Sequence, residues 1–155
     1  MPPNSETSLR GFDVDRATFT IRLERLVDAP AAAVFAAWTR AEEIAQWWDP
    51  DGVPLVRCEI DLKPGGSFTF VPKSHIDVPF TGTYREISPP DRLVFEAMGA
   101  TGLVSLTETQ GRTRMVVTIT CRSAEHLDQY IEMGVAKGTA QTLDNLMAFV
   151  RRRAA

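Results

Sequence analysis

The sequence predicts a single α+β domain in which an antiparallel sheet of about six or seven strands wraps around one long C-terminal helix. Three observations carry this. An opening stretch of alternating residues is followed by two short helical patterns that hold all three tryptophans of the chain. A succession of alternating segments, punctuated by Pro and Gly, fills the middle. An apolar stripe at helical spacing then runs towards the C-terminal end. A twisted sheet covered by one helix tends to leave a hollow between them, and function is expected there.

With 155 residues, 44% of them hydrophobic, the chain can bury a core without a disulfide or metal staple. A formal charge of -3 supplies no broad basic field, so nucleic acid is not an expected partner. The basic run Arg151-Arg152-Arg153 falls at the end of the predicted last helix, where the macrodipole favours cations. The start, Met1-Pro2-Pro3-Asn4-Ser5-Glu6, lacks the basic end and apolar stretch of a signal peptide. No apolar run approaches the roughly 18 residues of a membrane span, so a cytoplasmic protein without membrane contact is expected. Cys58 and Cys121 lie in separate strand patterns without CxxC spacing. Reduced thiols are expected of them, with no metal and no cofactor.

Residues 1–17 are polar and irregular and read as an N-terminal arm or an edge segment, and residues 18–153 as the domain. In the first strand Phe19, Ile21, Leu23 and Val27 alternate with Thr20, Arg22, Glu24 and Leu26, the period of a half-buried strand. Asp28-Ala29-Pro30 ends it and opens a helix, with Pro30 at a first helical position whose N–H would go unpaired anyway. Val34, Phe35 and Trp38 share one face of that helix. Ile44, Trp47 and Trp48 mark a second short helix, stopped by Asp49-Pro50-Asp51-Gly52. The tryptophan rings either plug the open end of the sheet as core or wall a pocket.

Strand patterns then cover residues 55–62, 66–71, 80–87, 92–97, 103–109 and 113–121. Pro64-Gly65-Gly66, Pro89-Pro90-Asp91 and Gln110-Gly111-Arg112 are short links of the kind that join antiparallel neighbours. Gly65-Gly66 lacks the strand-to-helix context of a phosphate-binding loop. Ser123 is a natural N-cap for the last segment, with Glu125 and Asp128 in the first turns. Leu127, Ile131, Val135, Thr139, Leu143, Leu146 and Val150 follow at spacings of three and four. Gly134 and Gly138 interrupt this stripe, each costing about 1 kcal/mol against Ala. A break near Gly134 leaves a main helix to Arg152 of about 25 to 30 Å.

Alternation also selects the side chains that face the hollow. Phe68 and Phe70 share a face, as do Phe80, Gly82 and Tyr84, Leu93 and Phe95, and Met115, Val117, Ile119 and Cys121. Under Val135, Thr139 and Leu143, they describe a mostly apolar interior with a few polar atoms, the usual build of a small-molecule site. The same side chains would equally serve as core. The candidate binding set is Trp38, Trp48, Phe68, Phe70, Phe80, Tyr84, Phe95, Met115, Val117, Val135, Thr139 and Leu143, with Tyr84 as the main polar handle.

Chemistry has fewer signals. Glu59 and Asp61 share a strand face, and a carboxylate pair does acid–base work when its pKa values are split. Cys58, Ile60 and Leu62 form the apolar alternate, so the acids are expected in water beside Arg57 and Lys63. His75 and His126 have no metal-binding partner at useful spacing. No GxSxG or HExxH motif is present, and no catalytic residue or metal ligand is assigned.

Several ordered motifs carry a family likeness: Ala29-Pro30 with Val34-Phe35 and Trp38-Thr39, then Trp47-Trp48-x-Pro50, then Asp61-x-x-Pro64-Gly65-Gly66. Gly82-x-Tyr84-x-Glu86-Ile87-x-Pro89-Pro90-x-Arg92-Leu93 completes the series. Over residues 18–150 the chain resembles the bacterial proteins related to the C-terminal domain of the heat-shock-ninety ATPase activator. These belong to the START-like (SRPBCC), birch-pollen-allergen-like superfamily, which includes polyketide cyclases and lipid carriers. The resemblance implies a helix-grip fold with a cavity for a small hydrophobic or aromatic molecule. It also implies two alternatives, a cyclase- or hydrolase-type enzyme orienting substrate through Tyr84, Glu59 or His75, and an activator-like protein contacting the chaperone. The chain has no room for the separate N-terminal domain of the full activators, which makes chaperone contact the less expected partner. A homodimer fits any of these readings and would show as an exposed apolar patch. Two departures bear on the cavity: Val135 follows Gly134 where relatives often place Trp, and the loop of residues 72–79 lacks their usual Pro-Asp-Gly turn.

Overall fold

A single 8-stranded sheet, antiparallel throughout, dominates the computed structural model, which describes residues 11–154. Its strands are β1 (Asp13–Asp15), β2 (Thr20–Val27), β3 (Arg57–Ile60), β4 (Ser67–Val71), β5 (Phe80–Ser88), β6 (Arg92–Ala97), β7 (Ala100–Thr109) and β8 (Arg112–Thr120). They stand in the order β1-β2-β8-β7-β6-β5-β4-β3. The helices are α1 (Ala31–Thr39), α2 (Ala41–Trp47), α3 (Ala124–Glu132) and α4 (Val135–Ala154), and Lys73–His75 adds one 3-10 turn. This is the α+β helix-grip architecture, with one more strand than expected. The extra strand is β1, within the segment read as an arm or edge, where Asp13 pairs with Arg22 and Asp15 with Thr20. Three residues are too few to show an alternation. The remainder of the arm, residues 1–10, lies outside the described residues.

Two two-residue turns set the register of the central strands. Met98-Gly99 and Gln110-Gly111 both have positive φ, 53° and 79° in the first and 54° and 77° in the second. That left-handed pair matches the twist of a hairpin and joins β6 to β7 and β7 to β8. β7 begins at Ala100, three residues before its predicted start at Leu103, and its inward face alternates from there through Gly102, Val104 and Leu106.

The start of α1 differs from expectation by one position. Pro30 is the N-cap, with ψ 156°, and Ala31 is the first helical residue. Pro30 has no side chain to cap with, and the cap comes from the sheet: the Ala31 N–H donates to Glu108 Oε1 of β7 at 2.8 Å. Thr113 of β8 adds a hydroxyl bond to the Ala29 carbonyl at 2.7 Å. At the other end of the chain Ser123 caps α3, its hydroxyl accepting from the His126 N–H at 3.1 Å. Gly134, at φ 82°, breaks the helix, and α4 then runs 20 residues, about 30 Å at the usual rise.

The core has an aliphatic end and an aromatic end. Ile21, Leu23 and Val27 of β2, Met115 and Val117 of β8 and Val104 and Leu106 of β7 are all buried. With Val34 of α1 and Leu143 and Leu146 of α4 they belong to one continuous cluster. The inward residues of β4, β5 and β6 are instead mostly aromatic, Phe68, Phe70, Phe80, Tyr84 and Phe95, with Leu93 as an aliphatic exception.

Candidate ligand pocket

A cavity of about 310 Å³ separates the aromatic end of the sheet from α4. Its floor explains why it exists. Phe68 stands opposite Gly82 across β4 and β5, and Phe95 stands opposite Gly102 across β6 and β7. A Cβ built on either glycine would overlap the facing ring, so each ring lies across its glycine. The volume that an upright ring would take is left open above the sheet. Phe68 links the floor together, with ring centroids 5.0 Å from Phe70, 5.1 Å from Tyr84 and 5.8 Å from Phe95.

The side wall is the tryptophan group carried by α1, α2 and the residue that follows. Trp38 and Trp47 meet edge to face at 4.9 Å, and Trp48 packs against Phe70 and Phe80 at 5.3 and 5.0 Å. Trp38 donates its N–H to Met115 Sδ at 3.4 Å and Trp47 to the Ala37 carbonyl at 3.1 Å. The Trp48 indole N–H meets no acceptor among the described residues, while its backbone N–H closes α2 on the Ile44 carbonyl at 3.0 Å. The roof is the first half of α4, with Val135, Gly138, Thr139 and Thr142, and small residues here keep it high. Asn145 ties roof to wall, its amide donating to the carbonyls of Trp47, Asp49 and Pro50 at 3.4, 3.0 and 3.4 Å.

The mouth lies between the β6–β7 turn and the break at Gly134, where Met98 and Met133 are 49% and 63% exposed. Tyr130 of α3 spans this gap, its hydroxyl donating to the Met98 carbonyl at 2.7 Å with the Ala97 carbonyl at 3.2 Å. Burial, with the Cys121 thiol adding and Arg122 opposing, pushes the Tyr130 hydroxyl up to about 12.

Tyr84 brings a polar group into the buried part of the lining. The residue is 2% exposed and borders the cavity, and its hydroxyl bonds to no described residue. No fully enclosed side-chain oxygen among the described residues lacks a partner, so this hydroxyl keeps some open surface. Burial, helped by nearby Cys58, raises its pKa far above that of a free phenol. It is a neutral group that can donate and accept. The Cys58 thiol is itself pushed up to about 11 by burial and by Glu42 and Glu59, which leaves it protonated and unreactive near neutral pH.

Of the side chains the sequence nominated, Trp38, Trp48, Phe68, Phe70, Phe80, Tyr84, Phe95, Val117, Val135 and Thr139 line this cavity. Met115 and Leu143 do not. Both are fully buried, Met115 as the sulfur acceptor of Trp38 and Leu143 one turn beyond Thr139, where α4 closes on the core. The lining also includes Met98, Tyr130, Met133 and Thr142, which the strand pattern could not nominate. Tyr130 alone had a signal, three residues after Leu127 on the same face of its helix.

The ionisable candidates lie elsewhere. Glu59 pairs with Arg57 at 2.8 Å and Asp61 with Lys63 at 3.7 Å, all on the outer face. His75 is exposed beside the Ser74 hydroxyl at 2.9 Å. His126 accepts from the Arg122 N–H at 3.1 Å and abuts Tyr130. Among the described residues no group of three or more His, Cys, Asp or Glu is placed to hold a metal, and no helix is long and apolar enough to cross a membrane.

The family model described as Activator of Hsp90 ATPase homolog 1-like protein matches residues 28–151. The chain belongs to this family. Its fold is that of the START-like, or SRPBCC, superfamily, and solved structures share it. A Nitrosomonas europaea protein superposes with a TM-score of 0.81 at 22% identity, covering 91% of this chain and 99% of its own. A Mycobacterium smegmatis protein gives 0.77 at 20% identity, covering 92% and 97%. An AHSA1-like protein from Aeromonas hydrophila gives 0.72 at 24% identity, covering 87% and 94%. At these identities the likeness is one of fold. No curated protein matches the chain in sequence.

Proposed function

We propose that this family member binds a small hydrophobic or aromatic molecule between its sheet and α4. The observation that carries the reading is an aromatic-walled cavity of about 310 Å³ bordered by Tyr84, whose hydroxyl has no hydrogen-bond partner among the described residues. A volume of that size lies at the small end of the range found for ligand sites. Rings on several sides offer edge and face contacts that suit a flat guest. Of the side chains considered for catalysis only Tyr84 borders the cavity, since Glu59 and His75 sit on outer surfaces, and this favours a binding role over a cyclase or hydrolase role.

The test is thermal unfolding in the presence of aromatic hydrocarbons of one to three rings, beside native mass spectrometry of freshly purified protein. Binding to the folded state raises stability by about 2.7 kcal/mol at a hundredfold excess over Kd. All three tryptophans border the cavity, so loading should also alter their fluorescence. A melting temperature and fluorescence that ignore every one of these compounds would defeat the proposal.

A further inference from the structure

We infer that the ligand is an uncharged aromatic molecule of about two fused rings, carrying an oxygen that pairs with the Tyr84 hydroxyl. This rests on the cavity being the binding site and adds three properties of the guest. Size comes first. An apolar cavity of about 150 Å³ accepts benzene, and this one is about 310 Å³.

Charge is next. Among the described residues no Asp, Glu, Lys, Arg or His borders the cavity. A carboxylate or ammonium carried inside would lose its hydration without gaining a counter-charge, a penalty that neutral groups escape. The nearest titratable groups, Tyr84 and Tyr130, are both held in their neutral form by burial.

The position of the polar atom comes last. Besides Tyr84, the lining side chains without a hydrogen-bond partner among the described residues are the Trp48 indole N–H and the Thr139 hydroxyl, and all three can donate. Tyr84 is the most enclosed of them, 5.1 Å from Phe68 and paired across β6 with Phe95. An oxygen seated there places its ring system over Phe68 and Phe95, where the two glycines have left room. A carbonyl or phenolic oxygen meets this requirement, and a bare hydrocarbon leaves the hydroxyl unpaired.

Equilibrium dialysis at pH 7 with benzene, naphthalene, 2-naphthol and 2-naphthoate separates these claims, using the wild-type chain and Tyr84→Phe. Naphthalene should bind about tenfold more tightly than benzene. The 2-naphthol should gain a further three- to tenfold or so from the hydrogen bond. The 2-naphthoate should bind about a hundredfold more weakly than 2-naphthol. In Tyr84→Phe the ratio of naphthol to naphthalene affinity should fall to about one, and a cooperative thermal unfolding transition of the variant shows that it is folded. Benzene matching naphthalene, naphthoate matching naphthol, or a naphthol advantage that survives in Tyr84→Phe each overturns the inference and leaves the cavity reading intact. If none of the four compounds binds, both fail.

Discussion

The two halves of α4 share one apolar stripe but rest on different floors. From Leu143 onward the stripe is closed, with Leu143 and Leu146 at 0% exposure and Val150 buried in the same cluster as Val27, Val34 and Met115. Before Leu143 the same stripe, at Val135 and Thr139, stays half-buried over Phe68, Tyr84 and Phe95. Aliphatic side chains standing up from β2, β7 and β8 interdigitate with the helix and reach the close packing of an interior. Aromatic rings lying across glycines do not rise to meet it. The hollow comes from missing bulk at a few positions, Gly82 and Gly102 in the floor, where rings lie flat, and Gly138 in the roof.

The sharpest way to break that contrast is to truncate one stripe residue in each half. Leu143→Ala should cost about 2–5 kcal/mol, because it empties a closed site, whereas Val135→Ala, already facing open space, should cost under about 1 kcal/mol. Urea titration of both variants measures the difference, and equal losses would mean that the halves are packed alike. The next largest effect is expected from filling the floor. Gly102→Ala should lose about 1–3 kcal/mol by forcing the Phe95 ring upward, and it should weaken naphthalene binding at the same time. Adding Phe95→Leu to Gly102→Ala should recover part of that stability, a non-additivity expected of side chains in contact. Unfolding curves for the two single variants and the double variant test it.

A smaller effect should follow from Tyr130→Phe, which removes the bond to the Met98 carbonyl at the mouth and costs about 0.5–1.5 kcal/mol. Hydrogen exchange should then speed up in the β6–β7 turn and leave the closed half of α4 unchanged. The smallest effect concerns the outer face of the closed half. The Arg114 guanidinium bonded to Glu24 holds that carboxyl at about 2 instead of 4.5, with burial opposing and Arg22 assisting. A depressed folded-state value means stability that is present above 4.5 and is lost as pH falls from there towards about 2. Both side chains are largely exposed, so the loss is slight. Glu24→Gln should flatten the acid limb of an unfolding-versus-pH series without changing ligand binding.

The inward face of nearly every strand could be read from alternation, because side-chain direction in a strand depends only on parity. That is why Phe68, Phe80, Tyr84, Phe95 and Val117 were found without the structure. Parity cannot tell whether an inward side chain touches the helix or a void, and for that reason Met115 and Leu143 were grouped with the pocket. Tyr130 and Met133 escaped for another reason. They reach the cavity from the end of α3 beside the break at Gly134, and no local periodicity encodes which residues flank a cavity across such a break. Met98 hid at the tip of a turn whose left-handed conformation its side chain does not announce. Glu108 as the cap of α1 was equally invisible, since its partner lies 77 positions away in sequence.

The single amide of Asn145 gathers three carbonyls at the end of α2 and just beyond it, and Asn145 sits two residues past Leu143, in the anchored part of α4. The distance between roof and tryptophan wall is thus fixed by a polar clasp rooted in the rigid core. It does not depend on what occupies the space between them. A binding site spaced in this way is ready before its ligand arrives, so association would give up little conformational freedom and more of the contact energy would appear as affinity.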